Sequence, residues 1–596
     1  MPKRDRFPDA FSGMAQFGIP FLLVLYLAFS SGGYDIVSRS QAGIIVWWAI
    51  LLGIIVGVLP AARLTKGGRV ILAVVGALVL WTAAGTLFWT GSTERSVIEL
   101  SRVVALFGVF FLLVLVQGRN GLRHAVNAVA AAAAIIATVA LLDRFVPDLL
   151  PFGSDYVFPA GYPEARLNYP LEYWNGLATL IAIGLGPLIW IATSGKTIAG
   201  RAAASGILPL LGLAGYLTAS RGGVIEGLAV LVVMVILFPR RIALLLTLLI
   251  PAAGATLLII LINDRSELRD LVRGDVASSQ GTEMFWITVA VFVVVAGLQA
   301  LVMYLVEKND FKLPQPSHAA ARNTGIAAAV IVALALAGVL ASGFAADRWS
   351  DFKQPQSDET VKRLGSIASG ERYENWKSAL DASSSESLTG IGPGTYEYWY
   401  AREGSGYQFV RDAHSIYLES LAEMGPVGLI LVLALVLGPL GMAVALALKQ
   451  GSDRRRGLAA AAAAGMVAFA VAAGIDWAWE MTVLPVMFFV LAAGILGPES
   501  AAARPSEIAV GSSPGGTPLN WAVRIPILAG GLAAIALIAV PLAATNAFRD
   551  SQAAFRAGDV EQSLDDARLA VSLQPYSASA KIQEAQVLAA LGRDVE

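Results

Sequence analysis

The sequence predicts an all-α fold: a polytopic transmembrane helix bundle of about 12–15 helices with a large extracytoplasmic loop and a C-terminal tetratricopeptide-like helical hairpin. Three observations support this prediction. Of the 596 residues, 56% are hydrophobic and 15% are charged, which leaves too little polar surface for a water-soluble protein. Apolar stretches long enough to cross roughly 30 Å of bilayer hydrocarbon recur along the chain. Basic residues recur between alternate stretches, as they do at the cytoplasmic ends of membrane helices.

The apolar stretches predict about fifteen membrane spans, each near the length of about 20 residues that a helix needs to cross a bilayer. An odd number of spans places the two ends of the chain on opposite sides of the membrane. In chain order the predicted spans cover residues 14–31, 42–60, 69–90, 102–117, 122–142, 174–193, 202–219, 222–238, 241–262, 284–306, 323–346, 426–448, 457–475, 482–497 and 525–543.

The basic residues orient these spans. If residues 1–13 are cytoplasmic, the connections predicted to lie inside carry Lys or Arg, from Arg63 near the amino terminus to Lys449 near the end of the bundle. Two long connections, 143–173 and 347–425, then lie outside, and both are rich in Tyr, Trp and Phe. The carboxyl terminus is also expected outside.

The spans divide the chain into segments. After the last span the sequence becomes polar and amphipathic, and Gly558 and Gly592 are separated by the length of one tetratricopeptide repeat. Such a segment is expected to bind protein partners, although an ordinary amphipathic hairpin is an alternative interpretation. The predicted segments are a cytoplasmic amino terminus at 1–13, a first part of the bundle at 14–346, the large loop at 347–425, further helices at 426–497, a cytoplasmic linker at 498–524, a last span at 525–543 and the tetratricopeptide-like segment at 544–596.

The composition excludes several classes of function. Without cysteine the chain has no disulfide, no thiolate nucleophile and no iron-sulfur cluster. Its formal net charge is −1 and its basic residues are distributed among loops, so a nucleic-acid partner is not expected. No sequence spacing of metal ligands and no serine nucleophile elbow is present, so neither a metal nor another cofactor is expected.

His414 is the candidate for proton transfer. It is one of three histidines and lies in the large loop, after Asp412, which can cap a helix that continues toward the next span. An imidazole in a first helical turn is favoured in its neutral form, and a neutral imidazole can accept a proton. A solvated or structural histidine is the alternative.

Arg221 and Arg372 are the candidates for binding an anion. Arg221 lies in a tight outer turn before two glycines, which let a phosphate approach the backbone closely. Arg372 precedes Trp376 by one helical turn, and guanidinium groups bind phosphates through paired hydrogen bonds. Snorkelling to the lipid headgroups is the alternative for Arg221, and a surface salt bridge is the alternative for Arg372.

Further aromatic and polar residues of the outer segments are candidates for binding a substrate. Aromatic rings can stack on the apolar faces of sugars, although the same rings could form the packing core of the large loop. Trp at an outer turn is first of all an interfacial anchor. The candidate substrate-binding residues are Arg166, Tyr169, Trp376, Tyr396, Trp399, Tyr417, Glu419 and Asp476.

As a set, these motifs resemble the O-antigen ligase and O-antigen polymerase superfamily of bacterial membrane glycosyltransferases. The resemblance extends over roughly residues 21–496, and its specific part is the large loop with its flanks. The residues that carry it are Ser220-Arg221-Gly222-Gly223, Arg372 with Trp376, Gly390-Ile391-Gly392-Pro393-Gly394, and Asp412-Ala413-His414-Ser415-Ile416-Tyr417-Leu418-Glu419 with Glu423, Gly425 and Gly428.

The resemblance implies a metal-independent, inverting enzyme of the GT-C type in the bacterial cytoplasmic (inner) membrane. Such enzymes transfer a glycan from an undecaprenyl-diphosphate carrier to an acceptor hydroxyl at the outer face of this membrane. Membrane lipids surround the helices. It implies that loop 347–425 is catalytic, that His414 is the general base, and that Arg221 and Arg372 hold the diphosphate.

Other functions remain open at this stage. The acceptor of a ligase can be a glycan, a lipid or a protein, and an acceptor protein would make the enzyme an oligosaccharyltransferase. A transporter or flippase for lipid-linked glycans would instead need ionisable residues at mid-membrane depth. A scaffold protein would not depend on His414. The predicted number of spans exceeds that of many family members.

Overall fold

The computed structural model shows helices and turns in the part of the chain that it describes, with no strand there. It describes residues 9–310 except 63, 119, 150–165 and 271–274, the single residues 323 and 327, and residues 372–593 except 405–408, 450 and 499–519. The predicted span 323–346, the loop residues 347–371 and most of the predicted linker therefore lie outside the described residues.

Eleven α-helices are described before the large loop, and short 3₁₀ turns follow α1 and α5. Their bounds are α1 Asp9–Ala28, α2 Ile36–Val56, α3 Lys66–Phe88, α4 Thr93–Leu115, α5 Gly121–Phe145, α6 Trp174–Ser194, α7 Ile198–Leu217, α8 Arg221–Leu237, α9 Arg241–Asn263, α10 Ser266–Arg269 and α11 Asp275–Lys308.

The described part of the loop contains two helices, and the described residues after it form six more. Their bounds are α12 Arg372–Ser385, α13 Tyr396–Glu403, α14 Ile416–Leu448, α15 Asp453–Ile475, α16 Val483–Leu496, α17 Trp521–Arg556, α18 Val560–Leu573 and α19 Ala578–Ala590.

The helices confirm the predicted polytopic bundle. Eleven described helices are long and apolar enough to cross a membrane, and the apolar parts of α1 and α16 are shorter. The helix α8, of 17 residues, occupies the predicted span 222–238. The described helices thus account for every predicted span except 323–346. The division of the chain into seven segments stays a prediction.

Two helices extend well beyond their predicted spans. The helix α14 begins at Ile416 instead of residue 426, and a break at Gly425 (φ 63°, ψ −169°) interrupts it. Its first turns carry Glu419 and Glu423, both buried against protein. Hydropathy detects only the lipid-compatible part of a helix, so these turns were not included in the predicted span. The helix α17 similarly continues to Arg556, past the predicted end at residue 543.

The centre of the bundle is formed by α5, α6, α15 and α16. Every residue of α16 is buried, and the alanines from Ala459 to Ala464 in α15 are completely buried. Small side chains let helix backbones approach closely within a membrane, where packing rather than water exclusion drives association. This tight centre supports the ends of α6, α8 and α15 at one face of the bundle.

The C-terminal segment forms the predicted helical hairpin. Asp559 caps α18 by accepting a hydrogen bond from the backbone N–H of Gln562 (3.1 Å), and Ser577 caps α19 by accepting one from Ala580 (3.1 Å). Ala547 at the end of α17 packs with Ala570 and Ala580, so the two helices rest on the extension of α17. Its assignment as a tetratricopeptide repeat stays a prediction.

Candidate functional site

The turn that carries Arg221 lies against the end of α15. Ser220 is the N-cap of α8, and its hydroxyl accepts a hydrogen bond from the backbone N–H of Gly223 (3.1 Å). A Cβ placed on Gly222 would lie 3.6 Å from Ile475, the last residue of α15. Arg221, the first residue of α8, is therefore close to the segment after α15, which begins with Asp476.

Asp476 organises the hydrogen bonds at this face. It is 4% exposed and accepts hydrogen bonds from the Tyr173 hydroxyl (2.6 Å) and the Asn175 side-chain amide (2.8 Å). Arg372 forms a salt bridge with the same carboxylate, although it lies 104 residues away in sequence. Burial tends to raise the pKa of Asp476, but the charges of Arg372 and His414 and these hydrogen bonds hold that pKa below its usual value.

Arg166 connects the Arg221 turn to this network. It is 3% exposed, and its guanidinium donates to the backbone oxygens of Thr218 (2.8 Å) and Ala219 (3.1 Å), just before the N-cap of α8. It also donates to Asn175 (3.1 Å) and lies over the ring of Trp174, 4.3 Å from its centroid. The segment before α6 therefore holds the turn between α7 and α8 in place.

Tyr169 lies in the same segment before α6, apart from the Asp476 network. Its side chain is partly exposed. Burial and the nearby charge of Asp143 raise the pKa of its phenol. The ring stays a candidate sugar contact.

His414 lies beside α12 and outside α14. Trp376, one turn after Arg372, donates a hydrogen bond from its indole N–H to the backbone oxygen of His414 (3.3 Å). His414 has a φ of 56°, and Ser415 is the N-cap of α14. The expectation that Asp412 caps this helix and that His414 lies in its first turn is therefore wrong, because the positive φ interrupts helical geometry before Ile416.

Glu419 holds the turn that presents His414. Its carboxylate reaches back from α14 and accepts a hydrogen bond from the backbone N–H of Ala413 (2.7 Å). The side chain is buried. This hydrogen bond shows how Glu419, one turn into α14, fixes the backbone conformation next to His414.

The electrostatic environment keeps His414 neutral. Burial lowers the pKa of His414 to about 4; Asp476 acts in the opposite direction, and Arg372 adds to the lowering. The imidazole Nδ1 is buried and has no hydrogen-bond partner in the described part of the chain. The same is true of Nε of Arg372. The imidazole of His414 and the guanidinium of Arg372 thus each have one buried nitrogen without a hydrogen bond among the described residues.

The Gly390 to Gly394 turn attaches the large loop to the bundle. The carboxylate of Glu423 accepts hydrogen bonds from the backbone N–H groups of Gly394 (2.8 Å) and Tyr396 (2.9 Å). On the other side, the Ser96 hydroxyl donates to the backbone oxygen of Pro393 (2.6 Å). A Cβ on Gly390, whose φ is 71°, would overlap the backbone of Glu423. The motif is therefore a packing turn wedged between α14 and α4.

The aromatic residues of the loop divide into two groups. Tyr396 is fully buried and donates a hydrogen bond from its hydroxyl to the backbone oxygen of Asn375 (2.8 Å), and Tyr400 packs beside it. Tyr417 donates to the backbone oxygen of Ala470 (2.9 Å). These three rings support the packing interpretation. Trp399 is only partly buried, with the guanidinium of Arg402 5.6 Å from its ring.

A group of acidic residues lies on the other side of the His414 turn. Carboxylate oxygens of Asp412, Glu419 and Glu480 all lie within 4.8 Å of one another, a spacing that could hold a metal ion. Arg102 contacts Glu480 and also pairs with Glu99 (2.7 Å). Sequence spacing did not reveal this group because its members come from α4, the loop, α14 and the turn after α15.

Several site residues were not among the sequence candidates. Tyr173 and Asn175 bind Asp476, Glu423 binds the glycine turn, and Arg102 neutralises part of the acidic group. The sequence carries a signal for Tyr173 and Asn175, because polar residues at the start of an apolar span often face protein rather than lipid. Arg102 carries a signal of the same kind, because it is a charged residue at the start of the predicted span 102–117.

Comparison with known families identifies the central part of the chain. Residues 280–433 match the family model described as O-antigen ligase. The matched region runs from α11 into α14 and includes Arg372, Trp376 and His414. No curated protein matches the chain in sequence. Residues 280–433 are therefore similar to the O-antigen ligase family, and this similarity supports membership of the O-antigen ligase superfamily.

Proposed function

We propose that this membrane protein transfers a glycan from an undecaprenyl-diphosphate carrier to an acceptor hydroxyl at the outer face of the bacterial cytoplasmic membrane. The O-antigen ligase match supports the general class, a membrane glycosyltransferase of the ligase or polymerase type. The observation that carries the finer proposal is the pair of buried atoms, His414 Nδ1 and Arg372 Nε, that lack partners among the described residues. A base and an anion-binding donor are what such a transfer requires.

His414 acts as the general base. A neutral imidazole accepts the proton of the acceptor hydroxyl while the acceptor oxygen forms a bond to the anomeric carbon of the donor sugar. The bond between that carbon and the diphosphate breaks at the same time, and the carrier leaves as undecaprenyl diphosphate. Attack from the face opposite the leaving group inverts the anomeric configuration.

Arg372 and Arg221 stabilise the charge on the departing diphosphate. Asp476 engages one terminal nitrogen of Arg372, so the salt bridge orients the guanidinium while Nε stays available for a phosphate oxygen. Arg221 stands at the first position of α8, where the helix dipole adds a partial positive charge. These two cations supply the electrostatic stabilisation, and the proposed reaction uses no metal cofactor.

The other sequence candidates receive different roles. Asp476 and Arg166 are positioning residues, because their polar atoms hold Arg372 and the Arg221 turn. Glu419 positions His414 through Ala413. The partly exposed rings that remain candidates for contact with the glycan are Tyr169, Trp376 and Trp399.

The positions of the charged site residues favour an enzyme over a transporter. Arg221 and Arg372 begin helices, and Asp476 follows the end of one. A transport path through the membrane would place such residues near its middle. An oligosaccharyltransferase uses the same chemistry with a protein acceptor, so it differs from the leading proposal only in the acceptor.

The proposal is tested with purified protein in proteoliposomes that contain an undecaprenyl-diphosphate glycan and a candidate acceptor. We expect a product whose mass equals the acceptor plus the glycan, and loss of about 10²–10⁴-fold in rate for His414→Ala. The matched control is His124→Ala, at the start of α5 and thus at the end of that helix away from the site. A His414→Ala rate equal to that of His124→Ala would contradict the assignment of the base.

A further inference from the structure

A cavity of about 240 Å³ lies between α5, α7 and α11. Its walls are apolar side chains together with two threonines, Thr138 on α5 and Thr288 on α11. The residues that line it belong neither to the Asp476 network nor to the His414 turn. The cavity is therefore separate from the candidate site.

The cavity opens sideways toward the bilayer. Val289, on its α11 wall, is 37% exposed, and most of the apolar stretch of α11 is left uncovered by the described part of the chain. Phe145 closes the end of the cavity, because α11 passes so close there that a Cβ on Gly281 would lie 2.2 Å from the Phe145 backbone oxygen. A molecule that fills this space therefore enters from the lipid.

Thr288 contributes an unsatisfied polar group to the cavity. It is 7% exposed, and its hydroxyl has no hydrogen-bond partner among the described residues. A threonine inside a helix can donate to the backbone oxygen four residues earlier. Thr138 and Thr282, the latter on the same helix as Thr288, do so at 2.7 and 3.1 Å. Thr288 lacks this bond, so its hydroxyl is available to a ligand in the cavity.

Water does not fit this space. At roughly 30 Å³ for each molecule, a cavity of this size would hold several waters, and each needs two to four polar partners. The side chains that line the cavity offer two hydroxyls, and the Thr138 hydroxyl already donates to its own helix. An apolar cavity of roughly 150 Å³ accepts benzene. The larger cavity beside Thr288 thus suits an aliphatic group that carries a hydrogen-bond acceptor.

The depth of Thr288 indicates which acceptor it meets. Thr288 is four residues from Met284, the nearer end of the predicted span 284–306, and this separation is about 6 Å along the helix. The ester carbonyls of phospholipids lie at the same depth, at the edge of the hydrocarbon and below the head groups. A polyprenyl chain has no oxygen beyond its phosphate end, so it would leave the Thr288 hydroxyl unsatisfied.

The charged residues near this end of α11 do not select a particular head group. Glu283 pairs with Arg265, and Asp270 pairs with Arg269 (2.8 Å). Each of these cations is thus balanced by a carboxylate, so neither phosphate nor a cationic head group is favoured. Recognition depends on the acyl chain and its ester.

We propose that the cavity between α5, α7 and α11 binds the ester end of one acyl chain of a bilayer phospholipid, whose carbonyl accepts a hydrogen bond from the Thr288 hydroxyl. The cavity holds the ester and the first part of that chain, and the rest of the lipid lies in the bilayer beyond Val289. This phospholipid is neither donor nor acceptor of glycan transfer, so the proposal does not rest on the proposed function. It joins α11 to the α5–α7 pair.

The test measures which lipids stay bound to the full-length protein. The protein is placed in nanodiscs with equal amounts of an ester-linked phosphatidylcholine and its ether-linked analogue, which has the same chains but no carbonyl. It is then extracted into detergent, and the retained lipids are counted by mass spectrometry. We expect the ester lipid to be enriched about fivefold, the factor that one neutral hydrogen bond supplies. Retention of neither lipid, or of both equally, would overturn the proposal.

Two pairs of variants locate the bound lipid. Thr288→Val removes the hydroxyl with little change of shape and should abolish the ester preference, whereas Thr282→Val, whose hydroxyl is used by its own helix, should keep it. Ile207→Phe fills the cavity and should lose the ester-enriched lipid. Its control is Val293→Phe, at a position of α11 that is 58% exposed. An ester preference that survives Thr288→Val, or equal retention by Ile207→Phe and Val293→Phe, would contradict the proposal.

The remaining arms distinguish the source of the chain. Undecaprenyl phosphate added in excess should leave the phospholipid bound, and displacement would show that the cavity takes an isoprenoid tail instead. Phosphatidylglycerol should be retained as well as phosphatidylcholine with the same chains. A strong dependence on head-group charge would place the recognition outside the cavity and overturn the assignment to Thr288.

Discussion

Two segments dock on the same face of the helix bundle in different ways. The large loop is held by the salt bridge between Arg372 and Asp476, whose side chains are 26% and 6% exposed. The C-terminal hairpin and its supporting helix α17 are held by the salt bridge between Arg549 and Asp35, which are 49% and 43% exposed. The first pair belongs to a buried hydrogen-bond network, and the second pair is largely hydrated.

This difference relates to what each segment has to do. An exposed ion pair contributes about 0–1 kcal/mol, whereas removal of one partner of a buried pair costs about 3–5 kcal/mol. The loop carries His414, the proposed general base, and a general base must be positioned to within a fraction of an ångström. The weaker attachment of the hairpin is compatible with movement relative to the bundle.

The two docking regions are nevertheless adjacent. Glu94 of α4 accepts a hydrogen bond from the N–H of Ala578 in the hairpin (2.8 Å), and the next residue, Arg95, pairs with Glu397 of the loop (2.5 Å). Likewise Asp35 binds the α17 extension, and its neighbour Tyr34 binds the loop through Arg411 (2.9 Å). Substitutions can therefore show whether the two attachments act independently.

The largest effect is expected for Asp476→Ala. The change leaves Arg372 without its carboxylate and removes the acceptor for Tyr173 and Asn175. We expect a loss of about 3–5 kcal/mol in the free energy of unfolding, together with the loss of glycan transfer. Denaturation in detergent and the proteoliposome assay measure the two effects. Asp476→Asn is the conservative control and should lose less stability. A loss below about 1 kcal/mol for Asp476→Ala would contradict the expectation that the buried pair holds the loop more strongly than the exposed pair holds the hairpin.

Gly390→Ala is expected to detach the loop locally. The new methyl group would overlap the backbone of Glu423, and the left-handed backbone adds strain, so the cost should be about 2–4 kcal/mol. The control is Gly441→Ala in α14, where no neighbouring atom lies within 4 Å of the new Cβ. Hydrogen exchange of residues 390–396 should increase only in the first variant. Unchanged exchange would show that the Glu423 contacts do not fix the loop.

The pH dependence of transfer reports the environment of His414. Because burial lowers its pKa to about 4, the neutral base is present above that pH and is lost as the pH falls through about 4. We expect kcat/KM, which reflects the free enzyme, to fall on the acid side near pH 4 instead of near the usual value of about 6.5. The midpoint for kcat should lie higher, since a bound anionic donor favours the imidazolium. A midpoint of kcat/KM at about 6.5 would mean that His414 is hydrated.

The smallest effect is expected for Arg549→Ala. Both partners of this ion pair are largely exposed, so the free energy of unfolding should change by less than about 1 kcal/mol. Transfer should stay within about twofold of the unmodified protein, while protease cleavage between α17 and α18 should become faster. A tenfold loss of transfer would indicate instead that the hairpin controls the loop through Tyr34 and Asp35.

The sequence was a good guide to individual elements of the site but not to their bonding. Arg372, His414 and Asp476 were each recognisable as polar residues in segments that are predicted to lie outside. Their assembly was not, because the partner of Arg372 is more than a hundred residues away. The sequence by itself favoured a surface salt bridge between Arg372 and a local glutamate. Arg166 and Tyr396 illustrate the same point: both residue types suit sugar binding, yet burial directs their polar atoms to backbone oxygens.

The order and length of the apolar runs by themselves determine the helical bundle, because the bilayer accepts only segments whose backbone hydrogen bonds are internally satisfied. The basic connections likewise predict its orientation. Tertiary structure alone decided which charges share a network, that His414 precedes α14 with a positive φ, and that carboxylates from three separate segments meet. Hydropathy is a local property of the chain, whereas the burial and pairing of a charge depend on residues that approach it only after folding.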